Sequence, residues 1–283
     1  MSDITLVTTF HQPGLDLYAQ RFLDSFAEHV DKRIKLLVYA EDCSPHNPDP
    51  EQITIFDAKV LRKLSQFKNR WGNVPKANGD ISGDPVRSRR KDSNKAFKWD
   101  AVRFANKIYA VLDACERSTD WCVWIDADTY VHSAWSYEEF EKLLPNNKWL
   151  TYVGRGKGSQ TWPECGFYGL NVKNVACQEF LQELEEFYED AENGIFTLAE
   201  WHDSYVFGDI LKRKTVKHSN VLDYSAEMYI KTAKSGGGGH PLINCELGRW
   251  IDHLKGDRKH DGRSKAKDMV VKREEGYWAK HTS

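Results

Sequence analysis

The chain has 283 residues and a formal net charge of −2, and this length can bury a full core as one large domain or as one domain with an appendage. It has no apolar run near the roughly 20 residues that a membrane span requires, and its first residues show no signal-peptide pattern, so we expect a cytoplasmic protein. Its six cysteines include no Cys-x-x-Cys pair, which favours buried free thiols over zinc sites or disulfides.

The small net charge hides a polarised chain. Residues 59–107 contain 14 Lys and Arg against 4 Asp, whereas residues 136–203 contain 5 Lys and Arg against 13 Asp and Glu. The stretch 253–283 is basic again, with 9 basic and 5 acidic residues. Such runs are either solvated faces or a surface for a polyanion, and the charge pattern alone leaves both interpretations open.

Strands and helices alternate along the first half of the chain. Apolar and β-branched runs predict strands at 4–10, 34–40 and 53–56, and apolar residues at helical spacing predict helices over 15–29 and 94–115. This rhythm predicts an α/β fold with a mainly parallel, doubly wound sheet that binds its ligand at the carboxyl ends of the strands.

Two segments interrupt this pattern. The stretch 69–93 is rich in Gly, Pro, Asn and Arg, and it is too long for an ordinary connection, so we expect it to be functional or mobile. Four consecutive glycines at 236–239 predict a hinge or a close approach of the backbone to a ligand.

A buried strand is predicted over 121–125, and it ends in two carboxylates one residue apart, Asp126 and Asp128. Where the strand gives way to a turn, both carboxylates can converge on one divalent ion and its diphosphate ligand. An oxygen-rich site of this kind suits Mg²⁺ or Mn²⁺. An isolated Asp-x-Asp is often only an acidic turn, but its position after an apolar strand favours a metal site.

A second motif lies far downstream, where His253, Gly256 and Lys259 follow the spacing His-x-x-Gly-x-x-Lys. A neutral imidazole can complete a metal site, a glycine lets backbone N–H groups approach phosphate oxygens, and a lysine supplies a point charge for a leaving group. We therefore predict that Asp126, Asp128 and His253 bind the metal. Asp126, Gly256 and Lys259 would bind the diphosphate.

An Asp-x-Asp followed at long range by this motif resembles the nucleotide-sugar glycosyltransferases of the GT-A fold. Among them it looks closest to the retaining family of glycogenin and the bacterial lipopolysaccharide galactosyltransferases, although that family continues with Pro-Trp where this chain has His260 and Asp261. The resemblance implies one Rossmann-like GT-A catalytic domain over 1–283, with an inserted basic loop at 69–93 and a C-terminal extension at 252–283. It also implies a UDP-sugar donor, Mn²⁺ or Mg²⁺, and transfer of a hexosyl or pentosyl group with retention of configuration.

The same resemblance assigns further residues to the donor site. Thr8 closes the first strand, where related enzymes hold the nucleoside, and Asp42 closes the second, where a carboxylate accepts the uracil N3–H. Arg103 lies on the helix before the Asp-x-Asp strand, as does an arginine of the family that contacts the donor. Arg103 also shares a helix face with Asp100 and Lys107, so an intrahelical ion pair is the alternative interpretation.

Two carboxylates are candidates for the reacting centre. Glu164 lies in a segment that resembles the strand lining the acceptor side of the sugar in this family, at a position where the family has Asn. Asp203 begins an amphipathic helix where the family carries an acidic residue near the anomeric carbon. We predict Asp203 as the catalytic carboxylate and Glu164 as the reserve. The alternative is that either is a helix-terminal or core charge.

The basic regions bear on the acceptor. In the basic regions, Lys and Arg side chains that can contact phosphates lie close to aromatic residues in the sequence, which favours a nucleic-acid acceptor. We expect the phosphate contacts to come from Arg87, Arg89, Arg90 and Lys91. We therefore expect an acceptor hydroxyl on hydroxymethylated pyrimidines in DNA, as some bacteriophages make, and the cytoplasm would be the host's if the chain is viral. The alternatives are a glycan or lipopolysaccharide acceptor, and a nucleotide-binding protein of the same fold without enzymatic activity.

Overall fold

A computed structural model describes residues 2–91, 93–156, 162–226 and 240–280. The glycine run at 236–239, predicted as a hinge, lies outside these residues. The described strands are β1 (Ile4–His11), β2 (Lys35–Glu41), β3 (Ile53–Asp57), β4 (Trp121–Ile125), β5 (Thr129–Val131), β6 (Leu150–Val153), β7 (Glu164–Asn171), β8 (Val221–Asp223) and β9 (Ile251–His253).

The helices alternate with these strands through most of the chain. The described α-helices are α1 (Gln12–Gly14), α2 (Gln20–His29), α3 (Arg62–Trp71), α4 (Ala101–Arg117), α5 (Tyr137–Leu143), α6 (Val175–Glu189), α7 (Asp203–Lys217), α8 (Pro241–Asn244), α9 (Arg258–Asp261) and α10 (Gly276–Ala279). A π-helix over Leu15–Ala19 joins α1 to α2.

Seven strands form the central sheet in the order β3-β2-β1-β4-β7-β6-β8, and β5 pairs with β9 in a separate two-stranded sheet. The pairs β1–β2, β1–β4, β2–β3 and β6–β8 are parallel, and β7 runs antiparallel to β4 and β6. The predicted α/β fold with a mainly parallel sheet of the GT-A type is therefore confirmed. The carboxyl ends of β1, β2 and β4 meet at one edge, which the amino end of β7 also joins.

Apolar side chains cover both faces of the sheet. One buried cluster includes Trp99, Ile108 and Phe180, and the other includes Phe22 and Phe140. All five residues of β4 are buried, as expected for a strand covered on both sides, so its sequence is continuously apolar and does not alternate. None of the helices in the described ranges is long and apolar enough to cross a membrane. All six cysteines are free thiols and five are buried, as predicted.

The helix predicted over 94–115 begins later than its apolar spacing indicates. Residues Ala96–Trp99 form a 3-10 turn, and α4 starts at Ala101. The reason is a cap, because the Asp100 carboxylate accepts a hydrogen bond from the backbone N–H of Arg103 at 3.0 Å. The preceding α3, which the sequence analysis does not predict, also takes up the first residues of the segment 69–93.

The basic segment 69–93 is held against the rest of the protein. Ala77 and Ile81 are buried within it. The Arg87 guanidinium pairs with Asp84 at 2.6 Å and donates to the Leu198 carbonyl oxygen at 2.7 Å. Some of the basic side chains in this segment therefore serve internal contacts.

Candidate metal and diphosphate site

The small two-stranded sheet assembles the predicted metal ligands. Asp126 and Asp128 follow β4, and β5 begins directly after them. β5 pairs antiparallel with β9 in a register that places Thr129 opposite His253. The Leu254 N–H extends this pairing by donating to the Asp128 carbonyl oxygen at 2.7 Å. The side chains of Asp128 and His253, which are 125 positions apart in the sequence, therefore meet.

Asp126, Asp128 and His253, here called the metal triad, are close enough to share one ion. One ligand atom from each lies within 4.8 Å of the others. His253 Nε2 is 3.1 Å from Asp128 Oδ1 and 3.6 Å from Asp126 Oδ2. His253 is fully buried and Asp128 is 8% exposed. Two carboxylates and one imidazole at these distances fit the oxygen and nitrogen ligands that Mg²⁺ or Mn²⁺ takes in proteins.

The electrostatics of the triad favour a cation between its members. Burial opposes a charge on His253, but the Asp128 and Asp126 carboxylates outweigh it and raise the His253 pKa to about 9. Burial likewise opposes ionisation of Asp128, and His253 and Lys259 nevertheless hold its pKa well below the ordinary value. The two carboxylates thus require positive charge at this point, which a proton on His253 or a divalent ion can supply.

The glycine and lysine of the closing motif lie just after β9. Gly256 has a φ of +68°, a left-handed conformation that favours glycine. The Lys259 ammonium lies 3.0 Å from Asp128 Oδ2 and 4.5 Å from the centre of the Tyr18 ring. The predicted phosphate-binding lysine is therefore in contact with a predicted metal ligand.

A buried lysine of α4 connects the triad to the predicted catalytic carboxylate. Lys107 Nζ lies 3.2 Å from Asp126 Oδ1 and 2.8 Å from Asp203 Oδ2, and it donates to the Cys165 carbonyl oxygen at 2.5 Å. Burial opposes its charge, yet Asp126 and Asp203 raise the pKa of Lys107 above its ordinary value. Lys107 thus faces the site, so the intrahelical pair with Asp100, the alternative interpretation, is wrong for this lysine.

The two candidate catalytic carboxylates have different surroundings. One oxygen of Asp203, the first residue of α7, contacts Lys107, and the other accepts the backbone N–H of the next residue at 2.7 Å. Glu164 is buried, with Lys255 Nζ at 2.8 and 3.0 Å from its two oxygens and Arg155 Nη2 at 3.0 Å from Oε2. Burial opposes ionisation of Glu164, but Lys255 and Arg155 hold its pKa well below the ordinary value.

Asp42 directly follows β2 as predicted, but β1 runs on to His11, so Thr8 lies inside the first strand and does not close it. No hydrogen bond or ion pair joins Thr8, Asp42 or Arg103 to the triad among the described residues. Thr8 is fully buried in β1, and its hydroxyl has no hydrogen-bond partner in the described ranges. Asp42 follows β2 with a φ of +50° and is exposed, with its carboxylate 2.7 Å from Lys59 Nζ. Arg103 is exposed on the first turn of α4. Their roles toward a donor stay predictions.

Tyr18 lies near the triad, but the sequence analysis places it only within the helix predicted over 15–29. It belongs to the π-helix Leu15–Ala19, a rare form that is frequent at functional sites. Burial and the charges of Asp128 and Asp126 raise the pKa of Tyr18 to about 12. A Cβ at Gly14 would lie 2.6 Å from the Tyr18 hydroxyl oxygen, so the absence of a side chain at Gly14 makes room for the phenol.

Comparison with known proteins gives structural matches only. No protein-family model matches the sequence, and no curated protein matches it. One similar solved structure is the bifunctional glycosyltransferase WbbM in its apo form, with 12% identity and a TM-score of 0.40 over 78% of this chain and 38% of that chain. Another is mouse xyloside xylosyltransferase 1, also apo, with 10% identity and a TM-score of 0.41 over 78% of this chain and 84% of that one. This chain thus spans well under half the length of WbbM, and similarity at this level leaves the function to be inferred from the site.

Proposed function

We propose that this protein is a metal-dependent glycosyltransferase that moves a sugar from a nucleoside diphosphate sugar, specifically a UDP-sugar, to a hydroxyl group. The observation that supports this most strongly is the meeting of Asp126, Asp128 and His253 after β4, with the Lys259 ammonium in contact with Asp128. Together these groups can hold a divalent ion and the diphosphate that it binds. The sequence resemblance to GT-A enzymes of the glycogenin-like family points to the same reaction.

The side chains around the triad divide the work of the transfer. Asp126, Asp128 and His253 would hold the ion, which when bound neutralises the diphosphate and makes it a better leaving group. Lys259 adds a second positive charge beside Asp128, where it can donate to a phosphate oxygen as negative charge builds up on the leaving group. Lys107 contacts both Asp126 and Asp203, so it sets the separation between an ion ligand and the candidate catalytic carboxylate.

We assign the catalytic role to Asp203 and not to Glu164. The oxygens of Glu164 are already occupied by Lys255 and Arg155, so this carboxylate has little negative charge left to offer a substrate. Asp203 shares its one lysine with Asp126, and it can stabilise the positive charge that develops on the sugar ring. With retention of configuration, Asp203 would act from the β face of the sugar, and with inversion it would accept the proton of the acceptor hydroxyl. The anomeric configuration of the product, read by proton NMR, distinguishes these two roles.

For the acceptor we propose a hydroxymethylated pyrimidine in DNA. Arg89 and Lys91 are exposed and support contacts with phosphates. Arg87 and Arg90 support the proposal less than their sequence position indicates. Arg87 is bound by Asp84, and Arg90 Nη2 lies 2.6 Å from a Glu200 carboxylate oxygen. Mass spectrometry of hydroxymethylated DNA, incubated with the enzyme and a panel of nucleotide sugars, tests this acceptor. If a glycan incubated in parallel is modified and the DNA is not, the acceptor is a glycan and the DNA proposal is wrong.

The donor half of the proposal is tested without any acceptor. We expect the protein with Mn²⁺ to hydrolyse at least one UDP-sugar slowly and to release UDP, and we expect EDTA to abolish this activity. Asp128→Asn should lose most of the Mn²⁺-dependent activity and keep the far-UV circular dichroism spectrum of the parent protein. Full turnover in EDTA would show that the metal mechanism is wrong. Binding of UDP-sugars without release of UDP or transfer to any acceptor would favour a nucleotide-binding protein that is not an enzyme.

A further inference from the structure

The buried imidazole of His240 has no role in the site described so far. His240 lies just before α8 and is 5% exposed. Its ring meets the His253 ring edge to face, with 4.9 Å between the ring centroids. Its backbone is fixed on both sides, because its N–H donates to the Asp268 carbonyl oxygen at 3.3 Å and its own carbonyl oxygen accepts from Asn244 Nδ2 at 2.9 Å. These contacts hold the His240 ring against His253.

Three ring nitrogens at this contact have no hydrogen-bond partner among the residues that the structure describes. They are both nitrogens of His240 and Nδ1 of His253. A buried polar atom without a partner destabilises the folded protein, because it has lost its hydrogen bonds to water. A phenylalanine or leucine at position 240 would avoid that cost, so an imidazole there indicates a function at His253 and not a contribution to the core.

The other sides of the His253 ring are already in use. Its Nε2 faces the triad, 3.1 Å from Asp128 Oδ1. On another side, a Cβ at Gly166 would come within 2.9 Å of His253 Cε1, so a glycine is needed to make room for the ring. Nδ1 is the remaining polar atom. A metal-binding imidazole usually donates its second N–H to an acceptor, which fixes the tautomer and leaves the other nitrogen with a lone pair for the metal.

We propose that His240 is a positioning residue that accepts a hydrogen bond from His253 Nδ1–H through one bridging water molecule, and thereby keeps Nε2 of His253 available to the ion. His240 itself would not touch the ion or the substrate. This inference rests on the proposed function, because it takes the triad to be a metal site.

Metal binding in the absence of donor and acceptor tests the inference independently of activity. Titration calorimetry with Mn²⁺ on the full chain should show a dissociation constant about 10–100-fold higher for His240→Phe than for the parent protein. The phenylalanine keeps the ring volume and removes both nitrogens. His240→Gln, which restores an acceptor oxygen, should recover part of the lost affinity.

His132→Phe is the matched control. Its imidazole is also packed against an aromatic ring, stacking on Tyr277 with 4.2 Å between centroids, but it is outside the triad. The His132→Phe variant should bind Mn²⁺ with the same affinity as the parent protein.

A second readout is the tautomer of His253 in the Mg²⁺-loaded protein, seen in long-range ¹H–¹⁵N NMR spectra. We expect the Nδ1–H form to dominate in the parent protein and to lose population in His240→Phe.

The outcomes separate this inference from the proposed function. If the parent protein does not bind Mn²⁺, the metal site and the role of His240 are both wrong. If the parent protein binds Mn²⁺ and His240→Phe binds it equally well, only the role of His240 is overturned. Loss of affinity with an unchanged metal-free melting temperature would support the role. If His240→Phe does not fold, His240→Leu takes its place with the same expected loss.

Discussion

Lys107 is 7% exposed and contacts carboxylates from two different elements, Asp126 after β4 and Asp203 on α7. Removal of one partner from a buried ion network leaves uncompensated charge and costs about 3–5 kcal/mol. Because both carboxylates keep some contact with solvent, we predict that Lys107→Met lowers the free energy of unfolding by about 3 kcal/mol in urea titrations. Lys217→Met removes an exposed lysine paired with Glu179 and should cost less than about 1 kcal/mol. Equal losses in the two variants would contradict the prediction.

Lys259 is predicted to act on the leaving group. Loss of a charge-assisted contact that is made in the transition state costs about 2–4 kcal/mol, so Lys259→Ala should lower kcat roughly 30- to 1000-fold. The KM of the acceptor should change little. Lys265→Ala is the control, because Lys265 lies in the same segment, is exposed and pairs with Asp261. A change confined to the acceptor KM would place Lys259 on the acceptor surface and not at the diphosphate.

His132 makes the stability of the fold depend on pH. Burial lowers the pKa of His132 from 6.5 to about 4. Below pH 6.5 the unfolded chain therefore binds more protons than the folded protein, and stability falls as the pH falls toward 4. The share of His132 in this loss between pH 7.5 and pH 5 is about 2 kcal/mol. His132→Phe should remove that share, as measured by urea unfolding at both pH values, and an unchanged pH dependence would show that His132 is not responsible.

Among the elements, the long strands could be predicted and the short ones could not. β4 can be recognised in the sequence as an unbroken apolar run, because the strand is covered on both faces. β5 and β9 have three residues each, and they owe their conformation to each other and not to local propensity. The contact between Asp128 and His253 could still be predicted, because the Asp-x-Asp and His-x-x-Gly-x-x-Lys motifs contain ligand types that suit one metal ion. That prediction did not depend on identifying β5 or β9.

The helix α4 shows why the partners of Lys107 could not be predicted. The sequence analysis groups Lys107 with Asp100 and Arg103, but Lys107 also borders the apolar side chains of Ile108 and Val111, and an ionisable residue at such a border is itself a signal of a buried partner. Helical spacing identifies the face but not what packs on it, and the partners come from the end of β4 and from α7. The helix α3 could not be predicted for a different reason. Four of its ten residues are basic and only Leu64 and Phe67 are buried, so its apolar face is too small to show a helical spacing.

At the scale of the whole molecule, the proposal of a DNA acceptor depends on the exposed cations of the basic segment and on Lys95, which lies just after it. If they grip phosphates, replacing Arg89, Lys91 and Lys95 by alanine should weaken DNA binding and flatten its log–log salt dependence by up to about three units, nearly one per lost contact. Hydrolysis of the UDP-sugar should persist in this variant while transfer to DNA falls. A triple variant of exposed lysines elsewhere is the control and should change the slope less: Lys35, Lys173 and Lys217. If neither duplex nor single-stranded DNA binds the parent protein in a salt-dependent way, the DNA acceptor is wrong.

The pairing of β5 with β9 also determines when the metal triad can form during synthesis and folding. It closes a long loop between Asp128 and His253, which are 125 positions apart in the sequence. Contacts across so long a loop form late in folding, because the chain must lose much of its freedom before they contribute. During synthesis on the ribosome, Asp126 and Asp128 are made long before His253, with which they form the triad. A partly synthesised chain that ends before β9 would therefore lack the third member of the metal triad.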